Sequence, residues 1–333
     1  MCALCDTMTD RRKASLDPAL SELLAGLARR GLLAGDPLTM PIAEARLQNE
    51  AYFRAIAEPR SAVAHISIVE ATSPDGHAVP VKVAIPEGAK ADTPALLYCH
   101  GGGYAFADIH THDHLIRALA VLSGMRVFAV DYRRTPEVSF PVPLEDALTA
   151  LAAMRGREWI ARFGHDPARI VVLGDSAGAH LGLGLMLALR QRGLPQLQGA
   201  ALAYGMYARR FDTWSHHAYG DTGIGLSSAK MRWFWDQLLP PGLHPDPAHA
   251  DPFLMEPLEA ELAGLPPLAL IAAECDCLLD DTLDFRETCK RQDHPHSFDL
   301  FRGASHGFLH LTSVYPGARE ALALMTARLK AMV

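Results

Sequence analysis

The run RIVVLGDSAGAHLGLGLMLALR (169–190) constrains the fold more than any other part of the chain. Residues 169–173 are almost wholly apolar and do not alternate with polar ones. That is the pattern of a strand buried on both faces, and such strands belong to mostly parallel sheets covered by helices. The turn GDSAG (174–178) then opens directly into a helical stretch, 177–191.

The rest of the chain repeats the motif. Strand-like runs occur at 63–70, 80–85, 95–99, 126–131, 198–204, 267–273 and 297–301, with helical stretches at 113–122, 143–155, 278–290 and 316–332. Strand–helix alternation after two opening strands predicts an α/β fold, a mostly parallel eight-stranded sheet with helices on both faces. Residues 1–60 read as helical, with Leu20, Leu23, Leu24 and Leu27 on one face. About sixty residues separate the runs 198–204 and 267–273, more than an α/β connection needs. They carry Trp214, Trp233, Trp235 and the Pro-rich run 240–252, and are expected to form a lid over the sheet. The expected division is an N-terminal segment 1–60, a core of 61–204 and 263–333, and an insertion at 205–262.

The 333 residues carry a net charge of −7, which repels a phosphate backbone and argues against nucleic acid as partner. No stretch approaches 18 uncharged apolar residues, so no membrane span is expected. MCALCDTMTDRRK turns polar too soon for a secretory leader, and a cytoplasmic protein is expected. The six cysteines are expected to be free thiols, because Cys2 and Cys5 form a C-x-x-C with no second pair to complete a zinc site. A homodimer stays possible.

G-x-S-x-G occurs twice, at 174–178 and 303–307, where roughly 0.1 chance matches would be expected. Only the first lies between a buried strand and a helix, the setting that exposes a serine Oγ at the sheet edge. Ser176 is therefore the expected nucleophile and Ser305 a loop residue. A serine hydroxyl needs a base within hydrogen-bond reach. Among the downstream histidines, His294 and His296 precede the last strand, His310 lies one turn further on, and His306 follows the strand directly. His306 is the expected base. A carboxylate must orient its imidazole, and Asp276 is the first aspartate after run 267–273, with Glu274, Asp280 and Asp281 as alternatives. H-G-G-G (100–103) follows run 95–99 and can turn backbone N–H groups toward a developing oxyanion, with the Ala177 N–H completing the set.

HGGGY, GDSAG, D-x-L-L-D-D and S-H-G-F together resemble the hormone-sensitive-lipase family of esterases, and DYRRTPEVSFPVPLED (131–146) resembles a scaffold run of the same family. Arg134, Thr135 and Cys277 depart from its usual residues. YGMY (204–207), GDSAGA, LLDD (278–281) and HGFLH (306–310) are similar to its bacterial acetyl esterases. The resemblance implies an α/β-hydrolase fold with a helical cap formed by residues 1–60 and the insertion. It also implies Gly102, Gly103 and Ala177 as oxyanion donors. The expected activity is hydrolysis of a small-molecule ester carrying a short acyl group, acetyl to butyryl, with no cofactor and no metal.

Tyr204, Tyr207 and Trp214, at or beyond the end of run 198–204, are expected to wall the acyl slot. Lactone or amide hydrolysis, or acyl transfer to an alcohol, would use the same three residues. A non-catalytic receptor of the same fold, as gibberellin receptors are, would require a damaged triad. HTHDH (110–114) is expected to be structural, with Asp113 at a helix start, and GLG (182–184) to serve helix packing.

Overall fold

The computed structural model describes residues 12–223, 225–240 and 254–333. The N-terminal helices are α1 (Pro18–Arg29) and α2 (Ile42–Ile56). The strands are β1 (His65–Thr72), β2 (Ala78–Ile85), β3 (Thr93–Cys99), β4 (Arg126–Val130), β5 (His165–Asp175), β6 (Gly199–Ala203), β7 (Leu268–Cys275) and β8 (His296–Ser305). Between and after them run α3 (Asp113–Ser123), α4 (Val142–Met154), α5 (Arg157–Phe163), α6 (Ala177–Gln191), α7 (Trp214–Tyr219), α8 (Ser228–Leu238), α9 (Leu279–Arg291) and α10 (Pro316–Lys330).

All eight strands join one sheet in the order β1-β2-β4-β3-β5-β6-β7-β8. β1 and β2 pair antiparallel, as do β2 and β4. Every later pairing is parallel. Alternate residues of one strand enter opposite layers, as the two-residue period requires. Leu97, Phe128, Val172, Leu202 and Leu270 pack into the layer shared with α4, α6 and α8. Leu96, Val127, Leu173, Ala201 and Ile271 pack into the layer shared with α3 and α10. Both faces are apolar and covered, as the unbroken apolar runs require. α5 is the element for which no periodic stretch stands out, since it is only seven residues long.

The N-terminal helices lie against the C-terminal end of the parallel strands. Asp17 N–H donates to Gly303 O at 2.9 Å, and Ala14 N–H donates to the Tyr219 hydroxyl at the same distance. Arg46 of α2 reaches across to the carbonyls of Ala105 and Thr135 and to Glu137. Leu20 and Leu27 are buried and Leu23 and Leu24 pack beside them, as the one-faced pattern predicts. From residue 241 on, the Pro-rich run lies outside the described residues, as do Cys2 and Cys5. Cys99, Cys275, Cys277 and Cys289 are free and buried. Among the described residues, no helix is long and apolar enough to cross a membrane.

Asp113 does start α3, but it does more than favour the helix dipole. Its carboxylate accepts from Lys82 at 3.0 Å, from Arg60 at 3.0 Å and from Arg117 at 2.8 Å. Lys82 is almost fully buried, and removing its partner leaves an uncompensated charge. Asp113→Ala should therefore lower stability by about 3–5 kcal/mol. Urea unfolding should show this as a fall in midpoint at unchanged slope.

Candidate active site

The elbow after β5 carries the strain that its sequence implies. Ser176 adopts φ 54° and ψ −120°, a region costly for a residue with a Cβ. Its flanking glycines are required by close approach: a Cβ at Gly174 would fall 2.1 Å from Gly178 O, and one at Gly178 would fall 1.9 Å from Cys99 O. The turn lifts the serine clear of β5 and packs α6 directly on the sheet.

His306 stands just past β8 and Asp276 just past β7. The His306 imidazole bridges them, with Nε2 2.9 Å from Ser176 Oγ and Nδ1 2.7 Å from Asp276 Oδ2. In the tautomer this row favours, Nδ1–H donates to the carboxylate and Nε2 accepts from the hydroxyl. The other oxygen of Asp276 accepts from Leu278 N–H at 2.9 Å, and the carboxylate is buried. Ser176 retains 7% exposure and His306 about 12% of its side chain, so the row is accessible at the serine end.

The other candidate acids and bases have different work. Glu274 accepts from Arg302 and from Gly303 N–H, holding the end of β8. Asp280 accepts from Ser215 N–H, and Asp281 accepts from the N–H groups of Tyr207 and Ala208. Both lie in the first turn of α9, and they pin the segment after β6 to that helix as well as meeting its dipole. Burial pushes the Asp281 carboxyl up to about 7, against the pull of Arg210. His294 is bonded to Pro266 O, while His296 opens β8. Ser305 is buried at the end of β8, away from any elbow.

The glycine loop lies beside the elbow. Gly102 and Gly103 have φ of 108° and 60°, and a Cβ at Gly102 would fall 2.3 Å from Phe106 O. Among the described residues, no acceptor takes the N–H of Gly102 or Gly103. The loop is fixed from outside by the Tyr132 hydroxyl, which donates to His100 O at 2.7 Å while its ring stacks on His100. Tyr104 closes the far end with a 2.6 Å bond to His180. Tyr132 belongs to the run 131–146, whose part in shaping the site is not evident from sequence alone.

The expected aromatic walls are placed differently from the sequence expectation. Tyr204 is fully buried, with its ring edge-on to His306 at 4.9 Å and beside Phe308. Its φ of 37° turns the chain so that the ring packs against the imidazole and leaves no surface for an acyl group. Tyr207 is also fully buried, against Phe285 of α9. Neither residue walls a slot. Trp214 stands edge-on to Tyr219, the residue that binds Ala14. The ring that does meet the glycine loop is Phe234 of α8: a Cβ at Gly103 would fall 2.4 Å from it. Gly225 crosses the other side, with its Cβ position 3.8 Å from His306 N. Helical spacing marks Phe234 as inward-facing, but nothing local to it identifies the loop it covers.

The profile of a family described as "alpha/beta hydrolase fold" matches residues 96–310, which include the glycine loop, the elbow and all three residues of the row. The chain belongs to that family. Solved structures of similar proteins superpose over nearly the whole of this hydrolase. A hyperthermophilic esterase from the archaeon Pyrobaculum calidifontis is 28% identical with a TM-score of 0.84, covering 96% of this chain and 99% of its own. A thermostable esterase from Pseudomonas putida is 25% identical with a TM-score of 0.84, covering 97% and 99%. A thermophilic carboxylesterase cloned from a metagenomic library is 33% identical with a TM-score of 0.81, covering 89% and 98%. The hormone-sensitive-lipase-like motifs and the eight-stranded sheet agree with these likenesses.

Proposed function

We propose that this α/β hydrolase is a carboxylesterase for short acyl esters, acting through Ser176, His306 and Asp276. The observation that carries this is the unbroken row Oγ–Nε2 at 2.9 Å and Nδ1–Oδ2 at 2.7 Å beside a loop of glycine N–H groups that meet no acceptor among the described residues. Ser176 Oγ attacks the ester carbonyl while His306 Nε2 takes its proton. The N–H groups of Gly102, Gly103 and Ala177 receive the negative oxygen of the tetrahedral intermediate. Collapse expels the alcohol, protonated by His306, and leaves Ser176 acylated. Water, deprotonated by the same imidazole, then releases the acid. Asp276 holds the tautomer and stabilises the imidazolium at each step. The intact row stands against the receptor reading. The reaction needs no cofactor.

The N-terminal helices and the described part of the segment after β6, with α7 and α8, act together as a cap over this site. Its inner face supplies Phe234, which sits on Gly103 and closes the acyl side. Phe106 and Trp233 pack against that ring and hold it in place. A fixed ring over the oxyanion loop leaves little length for an acyl chain, and each excluded methylene forfeits about 0.8 kcal/mol of burial. kcat/KM for p-nitrophenyl esters should peak between acetyl and butyryl and fall steeply beyond hexanoyl. In Phe234→Ala the optimum should move to longer chains, whereas Tyr207→Ala should not move it. An optimum at long chains in the native enzyme would overturn the short-chain assignment.

A further inference from the structure

Asp175 fills the place between glycine and serine in the elbow, and the chemistry of Ser176, His306 and Asp276 makes no use of it. Its carboxylate is nonetheless fully buried and is held from three sides. Oδ1 accepts from the Gly101 N–H at 3.1 Å and from the Tyr98 hydroxyl at 2.7 Å. Oδ2 lies 3.1 Å from His310 Nε2. A Cβ at Gly101 would fall 2.5 Å from Oδ2, so the glycine loop rests directly on the carboxylate.

Each of these partners belongs to a different part of the site. Gly101 immediately precedes Gly102 and Gly103. His310 lies four residues after His306, in the short turn Phe308–Leu311. Asp175 itself precedes Ser176. One carboxylate therefore ties the donor loop, the nucleophile elbow and the loop of the base to a single point. Burial alone would push this carboxyl up, but His310 and Tyr98 hold it below the usual carboxylate range.

His112 also lies near, and with Asp175 and His310 it has the composition of a metal site. The rings argue for packing instead. His112 meets His310 edge to face, at 4.4 Å and 82°, and Phe53 closes on both. His310 Nε2 already stands within ion-pair distance of Oδ2, although not aligned as a hydrogen bond, and Oδ1 already accepts twice.

We propose that Asp175 and His310 form a second acid–histidine couple, a pair of positioning residues that sets the oxyanion loop against the nucleophile elbow. The proposal rests on the esterase reading of Ser176. Oxyanion donors must stand 2.7–3.1 Å from the charge they stabilise, and a displacement of about 1 Å can cost about a hundredfold in rate. The couple should therefore be felt in the transition state and not in binding of the ester.

His310→Leu removes the ring nitrogen 3.1 Å from Oδ2 at similar bulk, while His310→Gln keeps an N–H that can reach it. The two variants and the wild type are compared in p-nitrophenyl acetate hydrolysis and in inhibition by a trifluoromethyl ketone. The ketone adds to the serine as a tetrahedral oxyanion. In His310→Leu, kcat should fall about 10–100-fold while KM stays near the wild-type value, and ketone affinity should weaken by the same factor as kcat. His310→Gln should recover most of both. Wild-type kcat in His310→Leu would overturn the proposal, as would a loss of kcat with unchanged ketone affinity, or equal damage from Gln and Leu. Stoichiometric cobalt(II) uptake by the wild type that is lost in His310→Leu would assign the three residues to a metal instead. Absence of turnover in the wild type would remove the esterase reading as well, and so is distinguishable from a failure of the couple alone.

Discussion

Ser176→Ala should lower kcat for a short-chain ester by about 10⁶-fold, since removing the nucleophile is as damaging as removing the whole triad. What remains should be the rate supported by binding and by the oxyanion donors, about 10³–10⁴ above water. Ser305→Ala should retain most activity, although Ser305 sits in the same five-residue pattern. The difference is structural. Ser176 occupies a strained turn between a buried strand and a helix and lies 2.9 Å from an imidazole. Ser305 is the last residue of β8, paired in register with Cys275. A fluorophosphonate should add a single mass increment, and peptide mapping should place it on Ser176. Labelling at Ser305 would reverse the assignment.

What the chain discloses before folding follows the range of the interactions involved. The elbow is legible because its requirements are local: an apolar strand, two glycines where backbones nearly touch, and a helix that begins at once. The order of nucleophile, acid and base is legible because each follows its own strand in a parallel sheet, and all strand ends of one sense lie on one edge. That placement alone picks out Asp276 and His306, and the structure brings both side chains into one row with Ser176. The rings around the row are not placed by sequence, because their positions depend on how the segment after β6 packs across other elements. Tyr204 and Tyr207 lie at the correct end of β6, yet a positive φ at Tyr204 and the contact of Tyr207 with α9 turn both rings into the core. Phe234 lies about thirty residues further on and reaches Gly103 only through tertiary packing. Asp175 is similar: its place in the elbow is visible in sequence, but its link to His310 spans 135 positions and appears only in three dimensions.

Asp276→Asn should lower kcat by about 10⁴-fold with little loss of fold. The amide is nearly isosteric with the carboxylate, and its oxygen can still accept from Leu278 N–H, so the turn before α9 should persist. Its NH₂ would then face His306 and favour the tautomer with the proton on Nε2, which cannot accept from Ser176. The positive charge formed on the imidazole during attack would also lose its counter-charge. KM for the ester should change little, because Asp276 reaches the substrate only through His306. Asp280→Asn and Asp281→Asn separate the catalytic role from a structural one. Those carboxylates bind backbone N–H groups at Ser215 and at Tyr207 and Ala208, so their loss should appear mainly in stability. Asp281 adds a check of sign, since its folded pKa near 7 lies above the usual carboxylate value. In the wild type its contribution should weaken as pH rises from about 4 to 7, where the unfolded chain has lost the proton that the folded chain keeps. Asp281→Asn should flatten the pH dependence of the urea midpoint over that window. If Asp280→Asn or Asp281→Asn proves more damaging to kcat than Asp276→Asn at matched stability, the orienting acid is not Asp276.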